Sequence, residues 1–150
     1  MKYKLLSLKT IEENDGKLTV FEEKGVIPFE IKRVFSIYEV PSQDIIRAEH
    51  ASVNTDFFLQ IVRGKVNVEL DDGINRQVFC LNQLNYGLYV PKMIWMKTFK
   101  FSMDAVLQVY ASTTYKECIY IDNYTGFLEA KLSKQAKDRC ENEKDSNSWG

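Results

Sequence analysis

The sequence holds one histidine and three cysteines in 150 residues, and each scarcity closes off a class of function. Cys80, Cys118 and Cys140 are far apart and odd in number, so neither a disulfide framework nor a CxxC zinc site is expected. The expected compartment is a reducing cytoplasm. One histidine cannot supply the imidazoles of a typical zinc or iron centre, so no metal and no other cofactor is expected. Charges of the two signs nearly cancel, 20 Lys and Arg against 21 Asp and Glu, which leaves no basic footprint for nucleic acid. No apolar run approaches the ~18–20 residues of a membrane helix, and no signal-peptide pattern opens the chain. The expectation is a soluble protein with neither a nucleic-acid nor a membrane partner.

What is present reads mostly as strand. "RVFSIYEV" and "FFLQIVRG" are rich in β-branched and aromatic residues and have strand length. "KVNVELDDG" alternates, with Val66, Val68 and Leu70 on one face and Asn67 and Glu69 on the other. Its "DDG" is a hairpin signal, because Gly73 tolerates positive φ. "QVFCL", "YGLYVP", "IWMKTF" and "DAVLQVYAS" follow at short spacing. The pattern predicts an all-β sandwich or barrel occupying residues 1–130. After it, residues 131–150 form a helical or loose tail. A helix is expected within "GFLEAKLSKQAKDRCENEKDSNSWG", with Phe127, Leu128, Leu132 and Ala136 on one face and fraying from about Arg139.

The single imidazole, His50, stands in "IIRAEHASVNTDFFLQIVRG", where the chain enters an apolar strand. Its ordinary pKa, about 6.5, suits proton transfer near neutrality. Simple strand alternation places His50 with Ser52 on one face and Arg47 with Glu49 on the other. A lone histidine also serves as a hydrogen-bonded structural residue, and both readings stand open here. Arg33 and Arg47 carry planar forks suited to paired hydrogen bonds with an anion. Trp95, after "YVPKMI", and Tyr120, one of several strand tyrosines, are aromatic side chains able to stack or, for the tyrosine, to donate a hydrogen bond.

In order, "VIPFEIKRVFSIYEV", "RAEHAS", "RGKVNVELDDG", "NYGLYVPKMIW", "FSMDAVLQVYAS" and "YKECIYIDNYTGF" resemble the dTDP-sugar 3,4-ketoisomerases from Gly16 to Phe127. The resemblance implies a cupin-type jelly-roll β-barrel with a short C-terminal helix. It implies a homodimer with exchanged N-terminal strands, a dTDP-linked keto-deoxysugar as substrate and no redox cofactor. The family motif H-A-H-K falls with its first histidine on His50 and its preceding arginine on Arg47. Its second histidine and lysine are Ser52 and Val53 here, and its later D-Y-I-R-D-Y reads "IYIDNY". The implied acid–base residues are His50 and Ser52, and the implied substrate contacts are Arg33, Arg47, Trp95 and Tyr120. Two functions follow. One is an isomerase that moves a ketone from C4 to C3; the alternative is a non-catalytic or re-purposed nucleotide-sugar-binding paralogue.

Overall fold

The computed structural model describes residues 2–147, with side chains for residues 2–144. The chain begins with β1 (Lys4–Ser7), β2 (Lys9–Glu13), β3 (Gly16–Val20), β4 (Arg33–Tyr38), β5 (Arg47–Ser52) and β6 (Phe57–Arg63). It continues with β7 (Val66–Asp71), β8 (Arg76–Leu81), β9 (Tyr86–Val90), β10 (Trp95–Phe99), β11 (Val106–Ala111), β12 (Tyr120–Ile121) and α1 (Tyr124–Asn147). Every strand expected from alternation is present.

Two five-stranded antiparallel sheets, ordered β1-β9-β6-β11-β4 and β12-β5-β10-β7-β8, face each other as a jelly-roll sandwich. Alternation explains what fills the space between them. Val66, Val68 and Leu70 of β7 meet Leu59 and Ile61 of β6 and Leu107 and Val109 of β11 in one continuous core. Strand β6 departs from simple alternation: its first five residues are all buried. The cause is a second layer on its outer face, where Phe58 packs with Leu8, Ile27, Phe29 and Tyr89. The segment between β3 and β4 thus covers the back of the first sheet.

The "DDG" signal becomes the β7–β8 hairpin, with Gly73 at φ 97°. Asp72 Oδ1 accepts from the Ile74 and Asn75 amides at 2.9 and 2.8 Å, which closes the turn. The neighbouring Asp71 is 2% exposed. It accepts from Gly73 N at 2.7 Å, Arg76 Nε at 2.9 Å and the Tyr124 hydroxyl at 2.7 Å. The last of these ties α1 to the sheet.

The helix starts earlier and runs further than its sequence suggests. Asn123 caps it, its Oδ1 accepting from Gly126 N at 2.9 Å. It therefore spans the 130/131 boundary expected between barrel and tail, and continues through Arg139 to Asn147 instead of fraying. The run of Ala, Lys, Glu, Gln and Arg has high intrinsic helix propensity. The expected apolar face is only partly used: Phe127 is fully buried, whereas Leu132 is 66% exposed. The tail residues 148–150 lie outside the described residues.

At the other end, the alternating "YKLLSLKTI" finds partners within its own chain. Leu5 pairs with Leu88 and Leu6 with Gly87 across β1 and β9, while β2 and β3 form a separate two-stranded ribbon. No helix among the described residues is long and apolar enough to cross a membrane.

Candidate active site

His50 owes its surroundings to an irregularity in β5. Met96 pairs with His50 and Thr98 with Arg47, so three steps along β5 match two along β10. This is a β-bulge, and it places Ala48 at φ 75°, a left-handed conformation that costs a non-glycine residue roughly 1–2 kcal/mol. The bulge turns Arg47 to the side of His50. Arg47, Ala48 and His50 all line one cavity, while Glu49 faces the opposite surface with Glu69 and Lys97. The expectation that Arg47 lies across the strand from His50 is therefore corrected: the extra residue shifts the phase of alternation.

The cavity, about 250 Å³, lies between the two sheets. Phe35, Ile37, Phe57, Leu59, Leu107 and Val109 supply its apolar wall. Ser36, Arg47, His50, Thr98 and Tyr120 are its polar groups. This is the pattern of a small-molecule site, a mostly apolar concavity with a few convergent polar groups. The His50 and Tyr120 rings lie 4.4 Å apart, centroid to centroid. His50 Nδ1 is buried and has no hydrogen-bond partner among the described residues. Burial holds the imidazole below its ordinary pKa, with its own backbone carbonyl and then the Asp122 charge opposing in part, so it is neutral near pH 7.

Arg33 reaches the cavity through Tyr120, donating from Nη2 to the hydroxyl at 3.3 Å. Its guanidinium also lies 5.2 Å from the Phe35 ring and 5.7 Å from the Tyr115 ring. Behind Tyr120 sits Cys118, whose Sγ accepts from Thr55 Oγ1 at 3.1 Å. Burial alone raises the Cys118 thiol, but hydrogen bonds from Thr55, Tyr120 and Ser52, with the Arg33 charge, outweigh it and the net shift is downward. Tyr120 moves the other way: burial first, then Cys118, hold its hydroxyl protonated above the usual range against the pull of Arg33.

Of the six residues singled out in the sequence, Arg47, His50 and Tyr120 line the cavity and Arg33 touches it through Tyr120. Two do not belong to it. Ser52 is 3% exposed and closes the turn after β5. Its hydroxyl accepts from Asn54 N at 3.3 Å and Thr55 N at 3.0 Å and donates to the Ile119 carbonyl at 3.2 Å. Trp95 points the opposite way, because alternation along β10 sends Met96 and Thr98 inward. Its ring packs 5.3 Å from Tyr124 and 5.8 Å from Phe127, under α1. Replacing Trp95 by alanine is accordingly expected to cost about 2–3 kcal/mol of stability, somewhat below the fully buried range, and to leave substrate KM unchanged. Thermal denaturation and steady-state kinetics check this; a raised KM with an unchanged midpoint would return Trp95 to the site.

Thr98, Met96 and Cys118 are site neighbours that no sequence motif marks. The alternation of "WMKTF" carries a signal for the first two once the strand's inner face is known. Nothing local marks Cys118, since only the pairing of Tyr120 with Ser52 brings it near. Among the described residues, no group of three or more His, Cys, Asp or Glu is placed to hold a metal ion.

The family described as "FdtA: WxcM-like, C-terminal" matches residues 1–132. The TDP-4-oxo-6-deoxy-alpha-D-glucose-3,4-oxoisomerase of Aneurinibacillus thermoaerophilus is 36% identical over 127 residues, which cover 85% of this chain and 91% of that protein. Among solved structures, WlaRA, a TDP-fucose-3,4-ketoisomerase from Campylobacter jejuni, is 40% identical with a TM-score of 0.80, covering 87% of this chain and 96% of its own. QdtA, a sugar 3,4-ketoisomerase from Thermoanaerobacterium thermosaccharolyticum solved with TDP, is 33% identical with a TM-score of 0.83 and covers 89% of this chain and 96% of its own. With almost its whole length matched and its sheets superposed on theirs, the chain belongs to the FdtA-like family of sugar 3,4-ketoisomerases that its sequence resembles.

Proposed function

We propose that this protein isomerises a TDP-linked 4-keto-6-deoxyhexose to its 3-keto form, with His50 as the base that removes the C3 proton. The observation carrying this reading is the His50 imidazole, without a hydrogen-bond partner at Nδ1 among the described residues, in an apolar cavity beside Arg47 and Tyr120. A proton next to a ketone is acidified by the carbonyl, so its removal needs a positioned base with a pKa near the working pH and no redox cofactor. Exclusion of water strengthens each charge interaction around the resulting enediolate. At about 250 Å³ the cavity suits the sugar ring, with the diphosphate outside it. Arg47, exposed at the start of β5 and lining the cavity, is the anion partner for that diphosphate, and Arg33 supports the site from behind Tyr120. Ser52 takes no part in proton transfer, because its hydroxyl already serves the turn.

Incubation with TDP-4-keto-6-deoxyglucose, followed by NMR of the product, tests the activity. A 3-keto isomer is expected. Saturable binding with unchanged substrate would favour the binding-only paralogue.

The same reading includes a cytoplasmic homodimer that supplies keto sugars for surface-glycan synthesis. Support for the dimer comes from apolar side chains at the N-terminal end: Leu5 is 44% exposed, Ile11 43% and Leu18 56%. Strand exchange would replace the β1–β9 pair within one chain by the same pair between two, at little change in hydrogen bonding. Light scattering at micromolar concentration should give twice the chain mass of 17.5 kDa. A monomer at that concentration would contradict the assembly.

A further inference from the structure

Moving a ketone between two carbons requires proton transfers at oxygen as well as at carbon. One imidazole serves the carbons, and no second histidine exists to serve O3 and O4. We propose that the Tyr120 hydroxyl is the second acid–base group of this site, passing a proton between O4 and O3 of the enediol while Arg33 holds its charge. This deepens the ketoisomerase reading and rests on it.

Three observations place the hydroxyl for that role. Tyr120 lines the cavity beside His50, with the rings 4.4 Å apart, so a sugar ring in contact with one is in reach of the other. Arg33 Nη2 donates to the hydroxyl oxygen at 3.3 Å and places a fixed positive charge beside any tyrosinate formed, while the phenolic proton, directed at the Cys118 sulfur in the resting site, has to turn to O4. Arg33 Nε is buried without a hydrogen-bond partner among the described residues, a cost that a purely structural arginine would be expected to avoid. Burial keeps the phenol protonated at neutral pH, which suits a group that must first donate.

The steps balance without an oxidant. His50 takes the C3 proton; the C3–H pair forms the C3=C4 bond, and the C4 carbonyl pair moves to O4. O4 takes the phenolic proton, giving a neutral enediol and a tyrosinate beside Arg33. The tyrosinate then removes the O3 proton, O3 becomes the new carbonyl oxygen, and the C3=C4 pair collects the proton of the imidazolium at C4. Both side chains return to their starting states.

Tyr120→Phe keeps the ring and removes only the hydroxyl. It should lower kcat about 10²–10³-fold, within the range for one general acid–base group, with KM and melting temperature nearly unchanged. Tyr120→His should recover part of that rate, because an imidazole can again carry a proton at this position. A wild-type protein without turnover would overturn the ketoisomerase reading and this step with it. An active wild type whose Tyr120→Phe variant keeps its kcat, or changes only KM or stability, would overturn the tyrosine step alone.

Discussion

Replacing His50 by asparagine should lower isomerisation by about 10³–10⁴-fold, the full effect of losing a general base, with nucleotide-sugar binding retained. Asparagine fills much of the same space but cannot take a proton. The structure gives the imidazole no hydrogen bond at Nδ1 to lose, so folding stability near pH 7 should change by less than about 1 kcal/mol. A structural histidine would show the opposite pattern, with a loss of ~1–3 kcal/mol and no selective effect on turnover. The stability difference should also depend on pH. The folded pKa of His50 lies below its ordinary value of 6.5. Below pH 6.5 the unfolded chain therefore binds a proton that the folded chain resists, and wild-type stability falls as pH drops from there toward the lowered folded value. The asparagine variant should lack that contribution. Thermal denaturation across pH 5–7 in both proteins checks it.

Gly87→Ala should be the most damaging small change to the fold. A Cβ there would sit 1.9 Å from Phe58 Cζ and 2.4 Å from Cε1. Phe58 cannot swing aside: it is fully buried, with the Phe21 ring at 5.5 Å and the Tyr110 ring at 6.2 Å. Inserting a methyl into such packing costs about 1–3 kcal/mol and occasionally more, and backbone or ring displacement here puts this site at the upper end. A loss of about 3 kcal/mol corresponds to a melting point lower by roughly 6–12 °C for a domain of this size. Circular dichroism melting measures it, and an unchanged midpoint would mean that β9 and β6 are not packed as described.

These two residues differ in how plainly the sequence marks them. His50 stands out as the only imidazole of the chain, whereas nothing around "NYGLYV" tells that Gly87 lies over a phenylalanine nearly 30 residues earlier, a contact made only by the pairing of β6 with β9. Strands announce themselves by local alternation, so β7, β10 and β11 are legible along with their inward residues. The bulge at Ala48 is not, because its cause lies in register against β10, and it reverses the face assigned to Arg47. Trp95 is a related case: alternation says which residues share a face, but not which face meets the cavity. Ser52 matched a motif position while its hydroxyl is taken by a turn that forms only when residues 54, 55 and 119 arrive. The length of the helix beyond Phe127 is hard to read because its stability comes from backbone propensity instead of an apolar stripe.

The most direct test of His50 as the catalytic base is the rate at which solvent deuterium enters C3 of TDP-4-keto-6-deoxyglucose in D₂O, measured by NMR as a function of pH. The wild-type protein should incorporate deuterium at C3 at a rate that is constant near neutrality. In acid the rate should fall with an apparent pKa below 6.5, after correction for the solvent isotope effect, as the lowered pKa of His50 requires. Exchange at C3 or isomerisation that continues unchanged in His50→Asn, or an acid limb that survives in that variant, would contradict it.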